Sequence, residues 1–200
     1  MKACKPLFAY GRNLLRNGDA EDGGASSGGK YVGVPDWSLV SNGHFTAVPY
    51  NAPGRFPVVP TNHGYNFFAG GDLTDTVTTQ FVDISPASAA IDAGDVPYIL
   101  SADLGGYLAN EDRTTVTVTF LDSTFSIVGS PLTLGPVTAA DRGNLTGFLH
   151  RSLTAPIPAG ARTIEVDMRM IWSTGYNDGY ADNLSLVLPG HPLYLPLVMR

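Results

Sequence analysis

Alternation of apolar and polar residues with a period of two is the feature that most constrains how this chain can fold. Residues 114–121 show it most clearly, because two valines and a phenylalanine fall on one face and threonines fall on the other. Residues 162–172 repeat the alternation, and its phase places Trp172 among the inward residues. Together with further segments at 76–84, 96–109, 148–153 and 183–188, these patterns predict roughly eight to ten strands and no helix.

Glycines and prolines separate these segments. The chain holds 23 glycines and 15 prolines, and only 15% of its 200 residues are charged, which favours short strands and tight turns over helices. Prolines at 49, 53, 57 and 60 exclude a central strand between residues 44 and 60, so this stretch is predicted to be a loop or an edge. Many short strands in a chain of domain size predict an all-β, antiparallel two-sheet β-sandwich of the jelly-roll type.

Charge and apolar content exclude several classes of partner. The net charge of −6 offers no basic patch for nucleic acid or for an anionic membrane. No apolar run reaches the roughly 18 residues needed to cross a bilayer, so membrane insertion is not expected. The one cysteine, Cys4, has no partner for a disulfide within the chain. Residues 1–10 lack the apolar core of a signal peptide, which predicts a mature or excised form of a secreted protein, or a protein that is not secreted.

Two acidic clusters stand near the two ends of the predicted domain. Asp178 and Asp182 precede the last alternating segment, while Asp19 and Glu21 lie in the polar stretch 17–22. A carboxylate at the start of a strand either caps backbone N–H groups or holds a cation, and the spacing leaves both roles open. We expect Asp182 to meet the first cluster, with a calcium ion joining the two ends of the domain.

Three parts of the sequence resemble the two ends of galactose-binding-like jelly rolls. They are residues 13–23, Trp37 and residues 179–186. This group includes many carbohydrate-binding modules attached to secreted bacterial glycoside hydrolases. The pieces at 120–122, 135–142 and 176–180 look like a recurrent extracellular bacterial version of the same fold. The resemblance covers about residues 12–188, and it implies a carbohydrate-binding sandwich that works outside the cell or at the cell surface.

The resemblance also implies a structural calcium ion. In such modules the ion sits beside the first and last strands. It is held by an acidic side chain of the first motif (here residues 13–23), the aspartate of the last motif (here residues 179–186) and backbone carbonyls. Carried onto this sequence, the ligands are Asp19 or Glu21, Asp182 and the carbonyl of Asn17. An alanine, Ala20, stands where the usual pattern has an aromatic residue. Calcium prefers six to eight oxygen ligands, which loops at strand ends can supply.

The sequence favours a binding protein over an enzyme. It contains no Gly-x-Ser-x-Gly elbow, and its four histidines are scattered over predicted loops and tails, which favours structural roles for them. No spacing singles out a carboxylate pair of the glycosidase kind. Sugar binding needs exposed rings beside hydrogen-bonding groups. The candidate rings are those of Trp37, Tyr65, Tyr107 and Tyr176, although core packing competes as a role for each.

The domain is predicted to span residues 12–188, between an N-terminal extension (1–11) and an apolar, proline-rich tail (189–200). Residues 193–198 of the tail have the pattern of a strand that pairs with a sheet edge of another copy, or folds back on its own sandwich. This leaves an alternative to calcium-stabilised carbohydrate binding, namely a self-assembling subunit of a surface layer or filament. A third interpretation is an accessory domain of a hydrolase without a ligand of its own.

Overall fold

The computed structural model of the protein describes residues 9–41, 43, 45–53, 59–71, 74–94 and 96–190. It confirms the predicted all-β sandwich of two five-stranded antiparallel sheets. In spatial order the first sheet contains β1 (Ser38–Leu39), β4 (Thr76–Asp83), β9 (Thr163–Ile171), β6 (Arg113–Leu121) and β7 (Leu132–Leu134). The second sheet contains β2 (Thr46–Pro49), β3 (Asn66–Gly71), β10 (Asn177–Val187), β5 (Pro97–Gly106) and β8 (Gly147–Pro156).

The core lies between the two sheets and follows the period-two alternation. β6 buries Val116, Val118 and Phe120, and each of them lies opposite an apolar residue of β9. The intervening threonines of β6, including Thr117, face outward. Full burial of side chains of this size stabilises the fold by roughly 1.5–3 kcal/mol each, before the loss of conformational entropy is counted.

Two connections depart from the simple strand pattern. A 3-10 turn (Ser85–Ala87) and the short helix α1 (Ser88–Asp92) join β4 to β5, so the prediction of no helix is wrong for this connection. Neither is of the length and apolar character that a bilayer-crossing helix requires, and the same holds for all helical residues within the described ranges. The proline-rich stretch contributes β2, which lies at the border of the second sheet beside β3, so the predicted edge is confirmed.

Two expectations for the C-terminal region are wrong. β10 begins at Asn177, so Asp178 lies at the start of the strand, but Asp182 lies in its middle and not at its start. Trp172 is 38% exposed instead of inward. β9 ends at Ile171, and the backbone N–H of Trp172 then donates to Asp75 Oδ1 at 2.9 Å, which turns the chain and breaks the phase of the alternation.

The first motif and the last strand meet, as predicted. The backbone N–H of Leu184 donates to the carbonyl of Gly18 at 2.7 Å, and Asn13 Nδ2 donates to the carbonyl of Leu184 at 2.9 Å. A Cβ on Gly18 would stand 2.2 Å from that carbonyl oxygen, so only glycine allows this approach. Residues 1–8, with Cys4, and the predicted tail strand 193–198 lie outside the described residues.

Candidate functional site

The outer face of the second sheet, turned away from the core, carries the candidate site. Side chains alternate along β3 and β10, so Phe67 and Tyr180 project outward while Phe68 and Ala181 belong to the core. The ring centroids of Phe67 and Tyr180 lie 4.8 Å apart. A buried aromatic cluster on this face consists of Tyr50, Phe67, Phe148 and Tyr180.

Tyr50 links the aromatic cluster to a fully buried carboxylate. Its hydroxyl donates to Asp182 Oδ2 at 2.5 Å, and the backbone N–H of Asn183 donates to Asp182 Oδ1 at 2.7 Å. Burial raises the pKa of Asp182 to about 7, and the negative charges of Asp103 and Asp19 add to this rise, while the two hydrogen bonds oppose it. Burial and the nearby Asp182 also raise the pKa of Tyr50, so its phenol keeps the proton that it donates.

Asp103 is a second buried carboxylate, and it positions two more accessible side chains. The register places Asp103 of β5 directly opposite Asp182 of β10 on one side and His150 of β8 on the other. Asp103 Oδ1 lies 3.0 Å from His150 Nδ1, and Asp103 Oδ2 accepts a hydrogen bond from Asn183 Nδ2 at 2.8 Å. Asp103 is 5% exposed, whereas the His150 side chain is 64% exposed. A buried acid therefore holds an exposed imidazole and an amide in place.

A β-bulge gives Asn183 its place beside Asp103. The register between β10 and β5 shifts after Asp182, so that Ser185 is the next residue to pair, with Ser101. Asn183 occupies the bulge with a φ of 51°, a left-handed conformation that asparagine tolerates better than most residues. Ser101 in turn lies opposite Ser152 of β8. The resulting polar strip crosses three strands and consists of Ser101, Asp103, His150, Ser152, Asn183 and Ser185.

The loop before β3 forms a rim beside the polar strip. Asn62 Oδ1 lies 3.5 Å from Asn183 Nδ2, and both residues line a cleft of about 410 Å³ together with Asp19. The ring of His63 packs 4.8 Å from that of Tyr50, measured between centroids. The rim thus places amide and imidazole groups at the border of the polar strip, with the carboxylate of Asp19 in the adjoining cleft.

The predicted calcium ligands of the first motif already make hydrogen bonds within the protein. The carbonyl of Asn17 accepts a hydrogen bond from Trp37 Nε1 at 3.0 Å. Glu21 Oε1 accepts the backbone N–H groups of Tyr65 and Asn66 at 2.7 and 2.8 Å, which anchors the start of β3. These bonds give both residues a structural role in joining the first motif to its neighbours.

The remaining two predicted ligands differ in exposure. Asp19 is exposed and lines the cleft with Asn17, whereas Asp182 is buried beneath the surface and bonded to Tyr50. The oxygen donors of this set are of the kind that calcium prefers. However, among the described residues no three histidine, cysteine, aspartate or glutamate side chains converge closely enough to hold a metal ion. The set matches calcium in the chemistry of its donors.

The four predicted sugar-stacking rings fall in different environments. Trp37 is 7% exposed, and its ring packs edge-on against Phe45 and Phe68, with centroids 6.4 and 6.0 Å away. Packing is therefore its observed role, because both neighbours occupy the space around the ring. Tyr65 is 84% exposed and follows the rim residue His63 by two positions, so its ring is accessible.

Tyr107 and Tyr176 both pack against one end of the aromatic cluster and are partly buried. The Tyr176 hydroxyl donates to the carbonyl of Gly29 at 2.9 Å, which ties the loop before β10 to the N-terminal region. Beside Tyr107, the buried guanidinium of Arg142 donates to the carbonyls of Gly106 and Leu108 at 2.9 and 3.1 Å. This end of the sheet is held by side-chain bonds to backbone carbonyls.

Sequence reasoning missed the residues that the sheet brings together. Tyr50, Asp103 and Asn183 were not among the predicted site residues, and the interpretation of His150 as one of several scattered loop or tail histidines is wrong, since it lies on β8. The available signal was the phase of the alternation, which places His150 and Ser152 on one face of a strand. Which strands would be neighbours could not be deduced from that phase.

Comparison with known proteins supports the fold. No family model and no curated protein sequence matches the chain. Among solved structures, the xylan-binding domain from CBM 22 superimposes with a TM-score of 0.55 at 12% identity, over 94% of this chain and all of that one. The enzymatically active domain of tailspike protein 4 of bacteriophage CBA120 gives 0.54 at 17% identity, over 88% of this chain. This chain corresponds to only 21% of the length of the tailspike chain. The chain thus has the jelly-roll fold of carbohydrate-binding modules, in agreement with the predicted galactose-binding-like sandwich.

Proposed function

We propose that the protein binds carbohydrate on the outer face of its second sheet, at the polar strip. The observation that carries this proposal is the bonding of Asp103, a buried carboxylate that fixes His150 on one side and Asn183 on the other. Side chains held in one geometry before binding lose little conformational entropy when a ligand arrives. The similarity to a xylan-binding domain supports the same ligand class.

The bonding also assigns hydrogen-bonding roles to the two side chains. His150 bonds Asp103 through Nδ1, which leaves its Nε2 facing away from Asp103 to bond with a sugar hydroxyl. Asn183 uses an N–H on Asp103 and presents its carbonyl oxygen. The hydroxyls of Ser101, Ser152 and Ser185 donate and accept along the strip. Exposed Tyr65, near the rim, supplies an accessible ring for stacking on a sugar face.

The same bonds favour binding without catalysis. Glycoside hydrolysis needs one carboxyl group that delivers a proton and another that acts as a nucleophile or activates water. Asp103 uses both oxygens on His150 and Asn183, and Asp182 uses both on Tyr50 and on a backbone amide. The two acids are therefore engaged in positioning, which fits a non-catalytic module that holds a glycan outside the cell or at its surface.

Affinity electrophoresis through gels containing soluble polysaccharides, beginning with xylan, tests this proposal. We expect the protein to be retarded, and His150→Ala and Asn183→Ala each to weaken binding about tenfold, the worth of one or two hydrogen bonds. Thr117→Ala, which removes a hydroxyl from the outer face of the other sheet, is the matched control and should bind as the wild type does. Retardation that persists in both site variants, or no retardation by any polysaccharide, would contradict the proposal.

Calcium binding remains a separate proposal, supported by donor chemistry alone. Asn17, Asp19, Glu21 and Asp182 would hold the ion, which would supply positive charge among carboxylates that now repel one another. A ligand that binds only the native state raises its stability by about 2.7 kcal/mol at a hundredfold excess over Kd. We expect calcium to raise the melting temperature relative to EDTA, and Asp19→Asn to reduce that rise. Identical melting curves with calcium and EDTA would count against the ion without affecting the carbohydrate proposal.

A further inference from the structure

Four carboxylates lie at or beside the polar strip. Asp103 and Asp182 are buried in the outer face of the second sheet, and Asp19 and Asp22 line the adjoining cleft of about 410 Å³. Asn183 belongs both to the strip and to the wall of the cleft, so the two spaces are continuous. A ligand that follows the strip into the cleft therefore lies beside all four carboxylates.

The two carboxylates of the cleft are exposed and make no hydrogen bond within the described part of the protein. The backbone of Asp22 bonds to the side chain of Asn17 at 2.9 and 3.2 Å, which fixes the loop but leaves the carboxylate of Asp22 unbonded. Burial is the main cause of the raised pKa of Asp182, and the negative charges of Asp103 and Asp19 add to it. The carboxylates therefore repel further negative charge at this place.

No lysine or arginine lines the strip or the cleft, as far as the structure describes the chain. Arg151 lies between His150 and Ser152 in β8, but alternation turns its side chain to the opposite face of the strand. Its Nη1 donates to the backbone carbonyl of His150 at 3.1 Å. Arg16 lines another cleft, where its Nη1 lies 3.7 Å from Asp36 Oδ1. Both guanidinium groups therefore act outside the site.

We propose that the site selects its glycan by charge, so that it binds uncharged sugars and rejects sugars that carry a carboxylate or a sulfate group. The inference rests on the proposed function, because it names the charge class of the ligand at the same site. A sugar group that bonds His150 or Asn183 lies within one side chain of the Asp103 carboxylate. This separation is shorter than the screening length of about 8 Å at physiological ionic strength.

Neutral sugars gain from the same carboxylates that repel acidic ones. The unbonded oxygens of Asp19 and Asp22 accept hydrogen bonds from sugar hydroxyls, and bonds to an ionised acceptor are stronger than bonds between neutral groups. An ionised uronate or sulfate group only accepts hydrogen bonds, so it leaves these oxygens unpaired and adds like-charge repulsion. The two residues therefore favour one class of glycan and disfavour the other.

Two forms of one oligosaccharide test the proposal, namely a xylo-oligosaccharide with one glucuronate branch and the same molecule after reduction of its carboxyl group. Calorimetric titration at pH 8 avoids the range in which histidine side chains usually become charged, and EDTA keeps divalent cations away from the carboxylates. In about 0.01 M salt, where charges act over roughly 30 Å, we expect the reduced form to bind about tenfold more tightly. In about 1 M salt the screening length falls to roughly 3 Å, and the difference should disappear.

Variants that change one charge locate the effect. Asp19→Asn and Asp22→Asn each remove a charge from the cleft and should lower the ratio of the two affinities to about threefold. Asp167→Asn on the outer face of the first sheet makes the same change in net charge, so it is the matched control and should keep the ratio near tenfold. A ratio that falls equally in Asp167→Asn would contradict the proposal, because the net charge of the protein would then select the ligand.

The binding of the wild type separates the failure of this inference from the failure of the proposed function. Equal affinity for the two oligosaccharides in low salt, or tighter binding of the acidic form, would contradict selection by charge and leave carbohydrate binding intact. If neither oligosaccharide binds, recognition of xylan fails and the selection that rests on it fails too.

Discussion

The outer faces of the two sheets differ in how deeply their polar side chains are buried. On the second sheet, Asp103 and Asp182 are buried and bonded to other side chains. On the first sheet, Asp167 lies opposite Thr117, which shares a hydrogen bond of 2.9 Å with Thr133 at the surface. Burying a carboxylate costs free energy, whereas surface threonines cost little. The difference teaches that the second sheet maintains a costly arrangement that the first sheet lacks at these positions, which is why we propose the second sheet as the binding face.

Removing a ring from the aromatic cluster should have the largest effect. Phe67→Ala leaves a cavity among Tyr50, Phe148 and Tyr180, and we expect it to lower the free energy of unfolding by about 3–5 kcal/mol. Thr117→Ala on the opposite outer face should change it by no more than about 0.5 kcal/mol. Urea unfolding measures both. Equal losses in the free energy of unfolding would show that the two outer faces contribute equally to stability.

The next largest effect is expected in the pH dependence of stability, which should differ between the two outer faces. The folded pKa of Asp182, about 7, lies above its unfolded value, so the folded chain binds the extra proton between pH 4 and pH 7. The associated stability is therefore present below about pH 4 and is lost as pH rises through 7, a change of up to about 4 kcal/mol. Urea titrations in EDTA across this range measure it, and Asp182→Asn should flatten the curve.

A matched variant on the first sheet serves as the control for this titration. Partial burial, with the charge of Asp167, raises the pKa of Glu165, so Glu165→Gln acts in the same direction. It should remove a smaller part of the slope because Glu165 is less buried. Aspartates 75, 92, 122 and 141 have lowered pKa values and lose their contribution only below about pH 4, outside this window. A slope unchanged in Asp182→Asn would contradict the assignment.

A smaller effect is expected for Asp103→Asn. The amide keeps the shape but loses the charge that both His150 and Asn183 bond to, and we expect a loss of about 1–2 kcal/mol in stability. Retardation by polysaccharide should weaken in parallel, because the two side chains are no longer held. Asp167→Asn on the other face should leave both measurements unchanged. If binding survives in Asp103→Asn, the hold of Asp103 on His150 and Asn183 is not needed for binding.

The smallest effect is expected for Thr117→Val. The substitution removes the hydroxyl that meets Thr133, but both partners are at the surface and water replaces the bond. We expect a change within about 0.5 kcal/mol, of either sign, since valine also favours strands. Chemical denaturation is again the measurement. A large loss in the free energy of unfolding would mean that the outer face of the first sheet contributes to stability as much as the polar strip does.

Much of the fold was predictable because strand phase is a local property. The alternation in β6 and β9 identifies their inward residues directly, and prolines identify β2 as an edge. The candidate site was not predictable in the same way. It depends on β10, β5 and β8 being neighbours, and on a bulge at Asn183 that changes the phase within β10. Neither the neighbour order nor the bulge leaves a mark in a single segment, so Asp103 and His150 could not be paired beforehand.

The junction of Gly18 with Leu184 also bears on how the protein is made. Asn13 and Leu184 are 171 positions apart, yet they bond directly. During translation the first motif leaves the ribosome before its partner strand exists, so it stays unpaired until β10 has been made. Nascent chains halted before residue 184 should therefore remain open to proteases, and the sandwich should close only once β10 has left the ribosome.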